Sequence, residues 1–151
     1  MRERTVLITG GSRGIGAASV RAFAGAGYRV AFSYCSHEAA ARVLEEEMGG
    51  RARAFRADVA DPAQVRRLFE ECRSAFGPAE ILICSAGIAQ QKLFTDLTDQ
   101  DWQRMLDVDL SGAFYCCRQA LPDMIRARWG RILLVSSMWG QTGGSCEVHY
   151  S

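Results

Sequence analysis

The sequence predicts an α/β fold: a doubly wound parallel sheet of five strands with helices on both faces, forming one domain. Three observations predict it. Five short runs are almost wholly apolar rather than alternating, as strands covered on both faces are. Helical periods separate each run from the next, the order that right-handed βαβ crossovers produce. A glycine-rich segment, Thr9-Gly10-Gly11-Ser12-Arg13-Gly14-Ile15-Gly16, closes the first run and opens the first helical period.

The first strand is expected at Thr5–Thr9 and the first helix at residues 14–26, stopped by Gly27. A second strand follows at residues 28–34 and a helix at 37–48, stopped by Gly49-Gly50. The third strand occupies residues 52–57. Its helix, Pro62–Phe76, starts with Asp61 as N-cap and proline in the first turn, and Gly77-Pro78 ends it. The fourth strand is placed at residues 80–84. Thr98 with Asp101 forms an acidic capping box ahead of a long helical stretch, residues 99–128, expected as two helices broken near Ser111-Gly112. Residues 131–136 give the fifth strand. No linker, repeat or low-complexity tract interrupts the alternation.

Composition narrows the function classes. Of 151 residues, 48% are apolar and 23% charged, the make-up of a folded globular domain. Eighteen Lys and Arg against seventeen Asp and Glu leave a net charge of +1, too balanced to hold nucleic acid or an anionic membrane through a basic field. Apolar runs such as Ile132-Leu133-Leu134-Val135 are far shorter than a membrane helix, and Met1-Arg2-Glu3-Arg4 leads into a strand rather than a leader's apolar stretch. A cytoplasmic protein is expected. Six cysteines without a C-x-x-C pair, beside only two histidines, are expected as reduced, mostly buried thiols with no metal site.

The glycine segment carries the most specific chemistry. Gly10 permits a tight turn, Gly14 lets a pyrophosphate approach the backbone, and Gly16 allows the helix to pack closely on the sheet. The free N–H groups of the helix start and its dipole attract the anion. A plain strand-to-helix turn is the alternative.

The spacing G-x-x-x-G-x-G after threonine resembles the cofactor loop of the short-chain dehydrogenase/reductase family, and the other landmarks stand in that family's order. The resemblance implies a Rossmann-type fold. It makes Gly10, Ser12, Arg13, Gly14, Ile15 and Gly16 the coenzyme loop, and Asp58-Val59 an adenine contact unless Asp58 only begins a turn. Cys84-Ser85-Ala86-Gly87 falls where the family has Asn-Asn-Ala-Gly, so Ser85, Ala86 and Gly87 join the cofactor set. Ser137 takes the place of the catalytic serine and Tyr150, thirteen positions later, that of the catalytic tyrosine; Ser136 competes with Ser137. Asp109 stands where the family has an asparagine whose main chain holds a water of the proton relay.

Ser33-Tyr34-Cys35-Ser36 carries no carboxylate to clasp ribose hydroxyls or repel a 2′-phosphate, and Arg13 supplies a bidentate cation unless it is a solvated surface side chain. NADP(H) is therefore preferred over NAD(H). In the chemistry so implied, Ser137 donates a hydrogen bond to the carbonyl oxygen and Tyr150 supplies the proton. The family places the lysine that tunes the tyrosine four residues further on, at position 154, past Ser151. Residues 1–151 accordingly read as one dinucleotide-binding domain lacking the C-terminal part of the family fold, and this polypeptide alone is expected to be poorly soluble or inactive.

Residues 89–95, 114–118 and 137–141 resemble the bacterial branch of 3-oxoacyl-acyl-carrier-protein reductases and elongation factor P 5-aminopentanone reductases. Ser145-Cys146-Glu147-Val148 leans to the latter, with Glu147 either attracting a cationic amine or lying solvated. A small-molecule or carrier-bound ketone is the expected substrate, and a homo-oligomer the expected assembly. Two other classes stay open: a nucleotide-binding fragment without turnover, and an interaction module using the apolar face of residues 113–128.

Overall fold

The computed structural model describes residues 3–151; the opening Met1-Arg2 pair lies outside it. Five strands, β1 (Thr5–Thr9), β2 (Arg29–Tyr34), β3 (Ala52–Arg56), β4 (Ile81–Cys84) and β5 (Arg131–Leu134), alternate with helices. The helices are α1 (Gly14–Gly25), α2 (Glu38–Glu47), α3 (Pro62–Phe76), α4 (Asp99–Met105), α5 (Gly112–Ala127) and the short α6 (Trp139–Thr142). All strand pairs are parallel, in the order β3-β2-β1-β4-β5. The order reverses at β1, so a crevice opens beyond the carboxyl ends of β1 and β4.

Successive residues of β1 feed opposite layers. Val6 and Ile8 join Phe32 against Val20 and Leu44 of α1 and α2. Leu7 joins Ala31 and Leu82 against Val65 and Leu68 of α3 and Cys116 and Met124 of α5. Each fully buried aliphatic side chain of this kind contributes roughly 1.5–3 kcal/mol relative to exposure. Double coverage explains why these strands lack polar alternation.

The expected helix starts hold. Asp61 accepts from Ala63 N at 2.8 Å with Pro62 in the first turn. Thr98 accepts from Asp101 N, while the Asp101 carboxylate takes the Thr98 N–H.

Three expectations need correction. The long helical stretch is not broken near Ser111-Gly112: Leu106–Ser111 forms a π-helical segment that carries α4 into α5. Gly112 meets a packing demand instead, since a Cβ there would come within 2.8 Å of Val59 Cγ2. Coverage on both faces also fails at the sheet edges. Arg53 and Arg56 of β3 are exposed, as are Leu133 and Leu134 of β5, which leaves the edge strands without a second layer over these residues. The thiols are free, but only Cys72, Cys84 and Cys116 are buried; Cys117 and Cys146 are partly covered and Cys35 is exposed. Burial pushes the Cys72 thiol up to about 12, which leaves it inert.

Candidate active site

At the end of β1 the chain turns at Gly10, whose φ of +66° suits glycine. Its N–H reaches Ser33 Oγ at 3.3 Å, and Gly11 N donates to Ser33 O at 2.8 Å, which holds the loop against β2. A Cβ at Gly10 would stand 2.7 Å from Ala86 Cα, and one at Gly16 would collide with the Gly10 carbonyl. Glycine is thus required at both positions by backbone packed on backbone. Gly14 differs. It has φ +54° and nothing within 4 Å of where its Cβ would be, so it presents bare backbone to open space at the first turn of α1. Bare backbone at the start of a helix is a place where an anion can approach N–H groups.

The facing wall follows β4. Thr9 Oγ1 accepts from both Ser85 N and Ala86 N at 3.2 Å, which ties the 85–87 segment to the glycine loop. Asp58 closes a turn by accepting from Ala60 N at 3.0 Å, and its second oxygen pairs with Arg104 at 3.1 Å. Its N–H still serves Gln64 Oε1 at 3.0 Å. The carboxylate is therefore a turn and ion-pair group, and it also stands on the rim of the crevice.

One cavity of about 820 Å³ joins these parts. Gly10, Ser12, Arg13, Gly14, Ile15, Asp58, Val59, Ser85, Ala86, Gly87, Asp109, Ser137 and Tyr150 all line it; Gly16, expected among them, does not and packs against the Gly10 carbonyl instead. Ser33, Tyr34, Cys35, Ser36 and His37 line it together with Arg13, but carboxylates are close: Glu38 hydrogen-bonds Tyr34, and Asp58 lines the same cavity. Arg13 is exposed at the N-cap of α1, and its side chain caps nothing. Ser136 borders the cavity as well, so its rivalry with Ser137 stays open.

Ser137, Tyr150 and Asp109 line the same cavity. Ser137 Oγ accepts from Trp139 N at 3.2 Å, which spends a lone pair and leaves its proton free to donate. Tyr150 is half-buried on the cavity wall. Asp109 Oδ1 accepts from Ile88 N at 2.9 Å. Burial pushes the Asp109 carboxyl above its ordinary range, against the lowering effect of that bond.

Sequence reasoning did not single out Arg104, which reaches Asp58 from α4 across 46 residues, or Gln90, which meets His149 at 3.0 Å. No local pattern marks such long-range pairs. The residues present fit a dinucleotide: bare backbone at Gly14, Arg13 beside it, and a serine and a tyrosine on the same cavity.

Residues 4–151 match the family model for short chain dehydrogenase. The chain is 35% identical over 150 residues to a 3-oxoacyl-[acyl-carrier-protein] reductase of Staphylococcus aureus, covering 97% of this chain and 61% of the relative. It is 35% identical over 154 residues to the protein of that name from Aquifex aeolicus, covering 100% and 62%. It is also 35% identical over 148 residues to an acetoacetyl-CoA reductase of Paracoccus denitrificans, covering 98% and 60%. The chain thus spans about three fifths of the length of these relatives.

Proposed function

The chain belongs to the short chain dehydrogenase family, and from that premise we propose that it works in the NADPH-dependent reduction of a ketone carried on a thioester. The observation that carries the reading is the single cavity joining the bare Gly14 cradle to Ser137 and Tyr150. Relatives named for 3-oxoacyl-carrier-protein and acetoacetyl-CoA reduction support the substrate class.

When bound, the nicotinamide coenzyme supplies the hydride. The chain does the rest. Gly14 and the start of α1 would hold the pyrophosphate, and Arg13 would pair with the 2′-phosphate. Ser137 donates its hydroxyl proton in a hydrogen bond to the carbonyl oxygen, where charge grows as the ketone is reduced. Tyr150 delivers its phenolic proton to that same oxygen, giving the alcohol. Asp109 lines the same cavity, where its main chain would hold a water of the proton relay. We place the protein in the cytoplasm, as a homo-oligomer.

Fluorescence of Trp102, Trp129 and Trp139 tests this. NADPH should quench it with saturation, and, in a chain extended to carry the lysine that the family places at position 154, a 3-oxoacyl thioester added next should oxidise the NADPH. Tyr150→Phe should lower turnover by about 10²–10⁴-fold and Ser137→Ala by about 10²–10³-fold, with coenzyme affinity kept. Saturation without oxidation would leave a nucleotide-binding protein with no turnover; no saturation would sink the reading altogether.

A further inference from the structure

The reaction uses neither His149 nor Gln90, yet buried His149 and half-buried Gln90 meet beside Tyr150. His149 is 7% exposed, and its Nε2 lies 3.0 Å from Gln90 Oε1. The tautomer follows from the next bond. Gln90 Nε2 donates to Asp101 Oδ1 at 3.0 Å, so the carbonyl end of Gln90 faces the ring and His149 must donate from Nε2. Asp101 is held in turn by Lys92 Nζ at 2.6 Å and by the Thr98 N–H and hydroxyl at the start of α4. A row of hydrogen bonds therefore runs from α4 through Gln90 to the residue next to Tyr150.

This contact is the inner rung of a short zipper. Lys92 N donates to Cys146 O at 2.7 Å, Gln91 Nε2 reaches Glu147 Oε1 at 3.2 Å, and Gln90 meets His149. The first two rungs lie three or more residues before Tyr150, and only the third adjoins it. His149 Nδ1 is buried without a hydrogen-bond partner among the described residues. An apolar side chain of similar size would fill the space without leaving a buried nitrogen unpaired, which is unfavourable. Filling space does not account for the imidazole; holding Gln90 does.

We propose that His149 is a positioning residue: its Nε2–H bond to Gln90 pins the turn at residues 148–150 to the segment after β4, and so fixes where the Tyr150 hydroxyl stands in the cavity. The inference rests on the reading of Tyr150 as proton donor. Its first test does not need turnover.

Tyrosine labelled with ¹³C at Cζ gives one NMR signal for each of the four tyrosines, and Tyr150→Phe identifies that of Tyr150. His149→Leu and Gln90→Leu should each move the Tyr150 signal and leave Tyr28, Tyr34 and Tyr115 in place. The double variant should move it no further than either single change. His149→Gln, whose amide restores an N–H donor, should return the signal to its original position. A Tyr150 signal unmoved by Gln90→Leu, or moved equally by His149→Gln and His149→Leu, overturns the proposal. If His149→Leu does not fold, Gln90→Leu decides alone. In turnover by the extended chain, Gln90→Leu should lower kcat about tenfold with KM for NADPH within about twofold, the mark of a misplaced reacting group. A raised KM with kcat kept overturns it too. Failure of the extended chain without substitutions to oxidise NADPH counts against the reductase reading, and the NMR comparison still decides the tether.

Discussion

At position 16 any side chain would have to occupy the space of the Gly10 carbonyl, whereas at position 14 it would meet only open space. The two glycines of one motif therefore fail differently. Gly16→Ala should lower stability by about 1–3 kcal/mol through overpacking, read as a reduced denaturant midpoint with an unchanged slope. Gly14→Ala, strained by φ +54° at a cost of about 1–2 kcal/mol, should leave the fold intact and weaken coenzyme binding, read by fluorescence titration. Arg13→Glu should weaken NADPH far more than NADH; equal weakening would show that Arg13 does not read the 2′-phosphate. Asp109 supplies a pH signature. Burial raises its carboxyl above the ordinary range, so the folded state holds its proton more tightly than the unfolded one. The contribution of Asp109 to stability is thus full in acid and lost as pH rises through its folded value. Asp109→Asn, which keeps an acceptor for Ile88 N, should be more stable than the parent at neutral pH and indistinguishable from it below the ordinary carboxylate range. Thermal unfolding across pH checks this.

The helix starts could be read locally because their chemistry is local. Asp61-Pro62 and Thr98 with Asp101 complete their caps within three residues, and both appear as expected. Thr98→Ala should cost about 1 kcal/mol of stability. Asp101 should show the opposite pH sense to Asp109, since Lys92 first, and then Thr98, hold its carboxyl well below the usual range. Its contribution is present above that range and lost as pH falls. The continuous passage from α4 to α5 was hidden for a different reason. A Ser-Gly pair suggests a break, but Gly112 is there to let the helix approach Val59, a residue 53 positions away in sequence.

Across the whole molecule, the central strands are sealed while β5 and one face of α5 are not. Phe114 and Ile125 are 55% and 70% exposed, and Leu134 is 60% exposed. Apolar surface of this kind favours association. Sedimentation should show mass rising with protein concentration, and the pair Ile125→Glu with Leu134→Lys should suppress it. A monomer at every concentration would contradict the expectation. Among the described residues no helix is long and apolar enough to cross a membrane.

The sequence by itself determined the alternation of strands and helices, the capped helix starts and the glycine loop, because each rests on apolar periodicity or on bonds completed within a few residues. The family resemblance named a set of site residues, and all of them except Gly16 line the one cavity. Only the tertiary structure decided that Asp58 spends its carboxylate on Ala60 and Arg104, that Gly112 serves packing, and that Gln90 meets His149. Those outcomes come from groups far apart in the chain meeting once the sheet has formed, and no short-range pattern encodes them.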